Sequence, residues 1–244
     1  MELSTYSLLE ERVETFVKWL FQDFKATVLP KGAKVFNDAL LGNQLFARHE
    51  VAVIDSPVLQ RLKRIKQTGL VYHVFPSATH TRFEHSLGAA TLAERCFNAI
   101  LDRSSVEKNS PPADSDRQRG DLAHLRMAAL LHDVGHGLCS HASEQIYEQL
   151  SDLKEFKSKP AYVNNAPGEI LSYLIVKSAT FSNWFTETMP RCGADLDLEE
   201  VARLILGKHQ DPDKYFLAQI ISGSYDCDKL DYIARDSYYC GLAA

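Results

Sequence analysis

Apolar residues recur at spacings of three and four along most of this chain, and that period restricts its fold more than any other feature. Leu8, Leu9, Val13, Phe16, Val17, Leu20, Phe21 and Phe24 form one stripe, which predicts an N-terminal helix within residues 1–30, ending before Pro30. Residues 31–53 break the pattern with Gly32 and Gly42 among short apolar runs, so a loop with at most a small β-hairpin is expected there. Ser56-Pro57 reads as the start of a second helix that Gly69 ends, since serine caps well and proline is tolerated at the first helical position. Helical spacing returns over 86–101, with His85 at its start, and over 122–132, where Leu125, Ala128, Ala129 and Leu131 supply a buried stripe. Between them, residues 102–120 are rich in Ser, Asp, Arg and Pro and read as a loop. Further helical stretches are 141–153, 169–178, 183–188, 198–206, 215–221 and 226–239. Strand alternation is scarce, so the expectation is an all-α chain with residues 31–244 forming one domain.

Composition excludes some roles. The formal net charge is −5, which gives no global attraction to a polyanion, so nucleic acid is not an expected partner. Arg61, Lys63, Arg64 and Lys66 cluster, but Val58, Leu59, Leu62 and Ile65 alternate with them; the cluster is either an anion site or the solvated face of a helix. Five cysteines, Cys96, Cys139, Cys192, Cys227 and Cys240, form no close pair of zinc-ligand spacing, which points to a reducing, cytoplasmic setting. The N-terminal apolar stripe is interrupted by Glu10, Glu11 and Glu14, unlike a signal peptide, and no apolar run is long enough to cross a bilayer, so no membrane role is expected.

Chemistry concentrates in three segments: Arg82-Phe83-Glu84-His85-Ser86, Leu131-His132-Asp133-Val134-Gly135-His136-Gly137, and Asp226-Cys227-Asp228-Lys229-Leu230-Asp231-Tyr232. An adjacent His-Asp doublet can aim an imidazole nitrogen and a carboxylate oxygen at one ion, with a distant His and Asp completing the shell. Mixed nitrogen and oxygen donors suit a divalent transition ion that activates water. Each residue alone could be an ordinary polar group at a helix end; three such segments together favour a metal site. Metal identity stays open among Mn, Fe, Co, Mg and Zn.

These segments, together with 54–67, 74–88, 131–141 and 228–236, resemble the HD-domain phosphohydrolases, and within them the deoxynucleoside triphosphate triphosphohydrolases. The likeness covers most of 34–242 and implies an HD-domain helical bundle. It implies that His85, His132, Asp133 and Asp228 bind the ion, that His136 touches phosphates, and that His141 serves acid-base catalysis with Glu144. Arg82, Lys229 and Tyr232 match positions that hold the triphosphate, and Gln67 and Asp236 match positions that read the sugar. The implied activity is dNTP hydrolysis to deoxynucleoside and triphosphate, in a homo-oligomer with a nucleotide substrate. Alternatives are a nucleotide-sensing regulatory or defence module, or a phosphatase for nucleoside monophosphates or another small phosphate ester.

The chain departs from that pattern in places. Thr68 stands where the family commonly has leucine, and Gly168, in Asn165-Ala166-Pro167-Gly168-Glu169, stands where the active relatives carry a proton-donating histidine. Glycine cannot protonate a leaving oxygen, and loss of a general acid typically removes about 10²–10⁴-fold in rate. Lys34-Val35-Phe36-Asn37-Asp38, with Asp55, Gln60 and Lys63, resembles the allosteric guanine-nucleotide site of the regulated branch, with Lys63 in place of an arginine; the other reading is that these residues pack a helix junction. The chain also ends earlier than those relatives, as a compact member or a fragment of a longer protein would.

Overall fold

The computed structural model describes residues 7–25, 28–108 and 115–242, apart from the side chains of 105–108, 115, 141 and 142. Helix α1 (Leu8–Phe21) opens on a reciprocal cap: Ser7 Oγ accepts from the Glu10 amide at 3.4 Å, and Glu10 Oε2 accepts from the Ser7 amide at 2.7 Å. Its buried stripe is Leu9, Val13 and Val17. Strands β1 (Lys34–Asp38) and β2 (Gly42–Phe46) form the expected hairpin, antiparallel, with Lys34 opposite Phe46 and Asp38 opposite Gly42. Asp38 Oδ1 closes the turn by accepting from the Leu40 and Leu41 amides, each at 2.8 Å.

The loop expected through residue 53 is shorter than its sequence suggested. Arg48–Ile54 is a helix, α2, whose start is held by Glu50 Oε2 accepting from the Ala47 amide at 2.7 Å and whose last four residues are buried. The helix expected from Ser56 to Gly69 is cut short for the opposite reason. After α3 (Pro57–Gln60) and a 3₁₀ turn over Arg61–Arg64, Ile65 is extended at φ −111°, ψ 113°. The chain then pairs with the segment before the next helix: the Gln67 amide donates to His80 O at 3.1 Å and the Arg82 amide to Ile65 O at 2.9 Å. Tertiary pairing wins here over helical spacing.

Helices α4 (Arg82–Lys108) and α5 (Ser115–Leu131) both run into the expected 102–120 loop, of which residues 109–114 lie outside the described residues. The 141–153 stretch divides into α6 (His141–Tyr147) and α7 (Ser151–Ser158). Then follow α8 (Pro167–Lys177), α9 (Ala179–Arg191), α10 (Leu198–Ile205), α11 (Tyr215–Ser222) and α12 (Cys227–Cys240), near their expected places, with α9 longer than 183–188. The fold is all-α, a helical bundle carrying one two-stranded hairpin among the described residues.

Helix α4 packs along α5 and α12, α10 packs on α5 and α8, and α1 lies across α8 and α9. Fully buried Leu125, Met127, Ala128, Ala129, Leu130 and Leu131 make α5 the central rod. A buried ion pair ties it to α2: Arg126 Nε donates to Glu50 Oε1 at 2.6 Å, and Nη1 to Glu94 on α4 at 2.5 Å. The basic cluster is largely committed within the protein. Arg61 donates both Nη groups to His136 O, Lys63 lies 4.5 Å over the Phe83 ring, and Lys66 lies 4.5 Å over Tyr72. Among the described residues no helix is long and apolar enough to cross a membrane.

Candidate metal centre

The site forms where the first turn of α4, the end of α5 and the first turn of α12 meet. His85 Nε2 lies 2.9 Å from Asp228 Oδ1 and 3.3 Å from His132 Nε2, and His132 Nε2 lies 3.6 Å from Asp228 Oδ1. One donor atom from each of these three residues falls within 4.8 Å of the others. Asp133 sits beside them, with Oδ2 at 3.6 Å from His85 Nε2 and Oδ1 at 3.6 Å from His132 Nε2. Residues 143 positions apart in sequence, His85 and Asp228, are thus brought into contact.

The outer nitrogen of each imidazole is fixed. His85 Nδ1 faces Asp231 Oδ2 at 2.8 Å, and His132 Nδ1 faces Ala129 O at 2.7 Å, so each Nδ1 carries the proton and each Nε2 turns inward. Two lone pairs and a carboxylate aimed at one point are favourable when a cation sits between them. The donor set therefore fits a divalent ion. Asp231 is itself gripped by Arg235, whose Nε donates to Oδ2 and Nη2 to Oδ1, both at 2.8 Å, while Nη1 reaches Asp38 at 2.7 Å. Gly88, one turn beyond His85, makes room for that pair: a Cβ there would lie 1.9 Å from Asp231 Oδ1. Sequence reading assigned no role to Asp231, Arg235 or Gly88. The available signal was the spacing of Asp228, Asp231 and Arg235 along one face of α12, with a glycine inside the facing helix.

Electrostatics follow from this crowding. Burial works against the imidazolium of His85, but hydrogen bonds to Asp228 and Asp231, with Asp133 nearby, hold it up to about 10 in the metal-free protein. His132 is raised too, burial being outweighed by Asp133 and Asp228. Burial alone would raise the Asp133 carboxyl, yet the Arg82 guanidinium, His132 and His136 keep it well below the ordinary carboxylate range. Burial lowers His136 despite its neighbouring carboxylates.

The turn after α5 is packed tightly onto α8. A Cβ on Gly135 would lie 2.3 Å from Gly168 O and 2.4 Å from the Ser172 amide, so only glycine permits this approach. His136 Nε2 lies 3.1 Å from Asp133 Oδ1, and its Nδ1 lies 3.6 Å from Glu144 Oε1 on α6. Both side chains press on Gly168, where a Cβ would stand 2.7 Å from the His136 ring and 2.8 Å from Glu144 Oε1. His141 is the first residue of α6; its side chain lies outside the described ones.

Arg82 is buried beside the cluster, donating from Nη1 to Asp133 and from Nη2 to Ser140. Gln67 is buried, and its Oε1 has no hydrogen-bond partner among the described residues. Asp236 Oδ1 lies 2.7 Å from Nε2 of buried His80, which stacks on Tyr239. Lys229 is turned toward the start of α12, donating to Gly223 O at 2.9 Å and to Asp226, and Tyr232 is half-buried on the same helix. The residues matching an allosteric site have partners within the chain: Lys34 Nζ pairs with Asp55 at 2.7 Å, Gln60 donates to Ile54 O at 2.7 Å, and Phe36 stacks edge-on against Phe46 and Phe83.

A family model described as HD domain matches residues 82–236, a span that contains the His85, His132, Asp133 and Asp228 cluster. The chain belongs to the HD-domain family. The deoxynucleoside triphosphate triphosphohydrolase SAMHD1 homolog of Dictyostelium discoideum is 32% identical over 216 residues, covering 86% of this chain and 37% of that protein. Deoxynucleoside triphosphate triphosphohydrolase SAMHD1 of Mus musculus is 32% identical over 228 residues, covering 86% and 32%. An uncharacterized protein of Mycoplasma pneumoniae is 30% identical over 212 residues, covering 85% and 44%. The crystal structure of a hypothetical protein from Aquifex aeolicus superposes with a TM-score of 0.62 at 30% identity, covering 86% of this chain and 47% of that one. This HD-domain chain spans about a third to under half the length of these curated relatives.

Proposed function

We propose that this chain is a metal-dependent phosphohydrolase whose substrate is a nucleotide, a dNTP cleaved to deoxynucleoside and triphosphate. The observation that carries the reading is the inward convergence of two tautomer-fixed Nε2 atoms and Asp228, with Asp133 beside them. His85, His132, Asp133 and Asp228 would hold the ion. Bound there, a divalent cation lowers the pKa of water from about 15.7 toward about 7 and polarises a phosphoryl oxygen.

The chain's own residues supply the rest. Arg82 keeps Asp133 ionised and turned toward the site, and with Lys229 and Tyr232 it holds the triphosphate. Gln67 offers an unpartnered buried oxygen to a sugar hydroxyl, and Asp236, oriented by His80, offers a second acceptor. His136, held neutral near pH 7 by burial, faces the phosphates, while His141 and Glu144 handle the proton that the leaving oxygen requires. The relatives named as dNTP triphosphohydrolases support the substrate class.

Incubating the metal-loaded protein with dNTPs, NTPs and nucleoside monophosphates and resolving the products tests this reading: deoxynucleoside and inorganic triphosphate are expected. Orthophosphate as the sole phosphorus product would assign a phosphatase instead. Gly168 favours a second reading, a nucleotide-sensing module with little turnover, because the space of the missing proton donor is occupied by His136 and Glu144. Nucleotide-dependent thermal stabilisation without product would establish that reading.

A further inference from the structure

Ser140 is the only non-glycine among the described residues with a positive φ, at φ 52° and ψ −130°. That region is disfavoured by any side chain, and residues persist there where surrounding structure compels them. Ser140 also stands at the N-cap of α6, where a serine ordinarily turns its hydroxyl to the helix amides, yet it makes no side-chain cap. Its hydroxyl goes elsewhere. Buried Ser140 Oγ accepts from Arg82 Nη2 and donates to Gln67 O at 2.8 Å.

One hydroxyl thus joins three segments. The 65–67 stretch already pairs with 80–82 through Gln67 N to His80 O and Arg82 N to Ile65 O, and Gly69 approaches so closely that a Cβ there would lie 3.0 Å from Cys139 O. Removing the hydroxyl would leave the Arg82 fork and the Gln67 carbonyl each short of a buried partner. Local strain and a forgone cap both cost stability.

We propose that Ser140 is a positioning residue that locks the phosphate-gripping arginine, Arg82, to the sugar-reading segment at Gln67, so that triphosphate and deoxynucleoside are held in one register. This rests on the nucleotide reading above. The test uses the Mn²⁺-loaded protein, with inorganic triphosphate and the common deoxynucleosides titrated separately by calorimetry, alongside melting temperature and bound metal. Ser140→Gly removes the hydroxyl and also relieves the strain, so with full metal it should melt above Ser140→Ala, while affinity for both probes falls about tenfold. Ser140→Ala removes the hydroxyl and keeps the strain, and should show the same twin loss at a lower melting temperature with full metal. Gln67→Ala, by contrast, should weaken only the nucleosides. Unchanged affinities in either variant, loss of one probe alone, or a binding loss that follows stability, larger in Ser140→Ala than in Ser140→Gly, would each overturn the role of Ser140. An unsubstituted protein that binds neither probe would overturn the nucleotide reading itself, a result distinct from all of these.

Discussion

Gly168 is occupied space as well as an absent side chain. Because the atoms its Cβ would meet belong to the His136 ring and the Glu144 carboxylate, both side-chain ends, Gly168→Ala should leave the fold intact and push those two groups out of place. We expect its melting temperature within a few degrees of the unsubstituted protein and its turnover down at least about tenfold; unchanged turnover would show that His136 and Glu144 are not used where they stand. Asp231 illustrates the reverse case, a residue outside the donor cluster that fixes one of its members, His85. Asp231→Asn should lower metal affinity about 10–100-fold in a competition titration, since the amide no longer holds the His85 Nδ1 proton as strongly. The His-Asp doublet was legible in sequence because two further segments with matching donors accompany it. Asp231 was not, because a helical aspartate facing a buried histidine looks the same on paper as one facing water.

At the scale of elements, the long helices followed from apolar period alone, while the short ones did not. Helix α2 holds only seven residues and lies in a stretch broken by glycines, so its helicity comes from burial of Val51 to Ile54 and from the Glu50 cap, not from a repeating stripe. Glu50 has a second duty in the ion pair with Arg126, where both side chains are almost wholly shielded. Glu50→Ala strands a buried guanidinium, and chemical denaturation should show a loss of about 3–5 kcal/mol. A loss below about 1 kcal/mol would mean that Glu94 alone suffices for Arg126. The helix expected across residues 57–69 failed for a related reason: Ile65 to Gln67 gain backbone partners from 80–82, and a periodic pattern carries no trace of such a partner.

For the whole molecule, the crowded charges make stability depend on pH and on metal together. In the metal-free protein the His85 pKa is raised from 6.5 to about 10, so its contribution is fully present below 6.5 and is lost as pH rises through about 10. Asp231 and Asp228 are lowered from 3.8; their contributions are present above that value and are lost as pH falls. The contribution of His85, Asp228 and Asp231 to metal-stripped protein should therefore be greatest between pH 3.8 and 6.5 and decline steadily toward pH 10, while buried His136 acts in the opposite sense below pH 6.5. A bound cation takes the place of the His85 proton, so the decline from neutral pH to 10 should disappear on metal loading, as thermal melts across that range will show; parallel curves would mean that the ion does not sit on His85. The helical class, the order of the principal helices and the candidate donors His85, His132, Asp133 and Asp228 could be read from the sequence, because apolar period and donor chemistry are local properties of the chain. Which donors meet, which imidazole nitrogen faces inward, why positions 88, 135 and 168 lack a side chain, and why Ser140 is held at positive φ were decided by tertiary structure. The physical reason is that each depends on contact between segments far apart in the chain, such as His85 and Asp228, and neither residue's local sequence records the distance across which it will be satisfied.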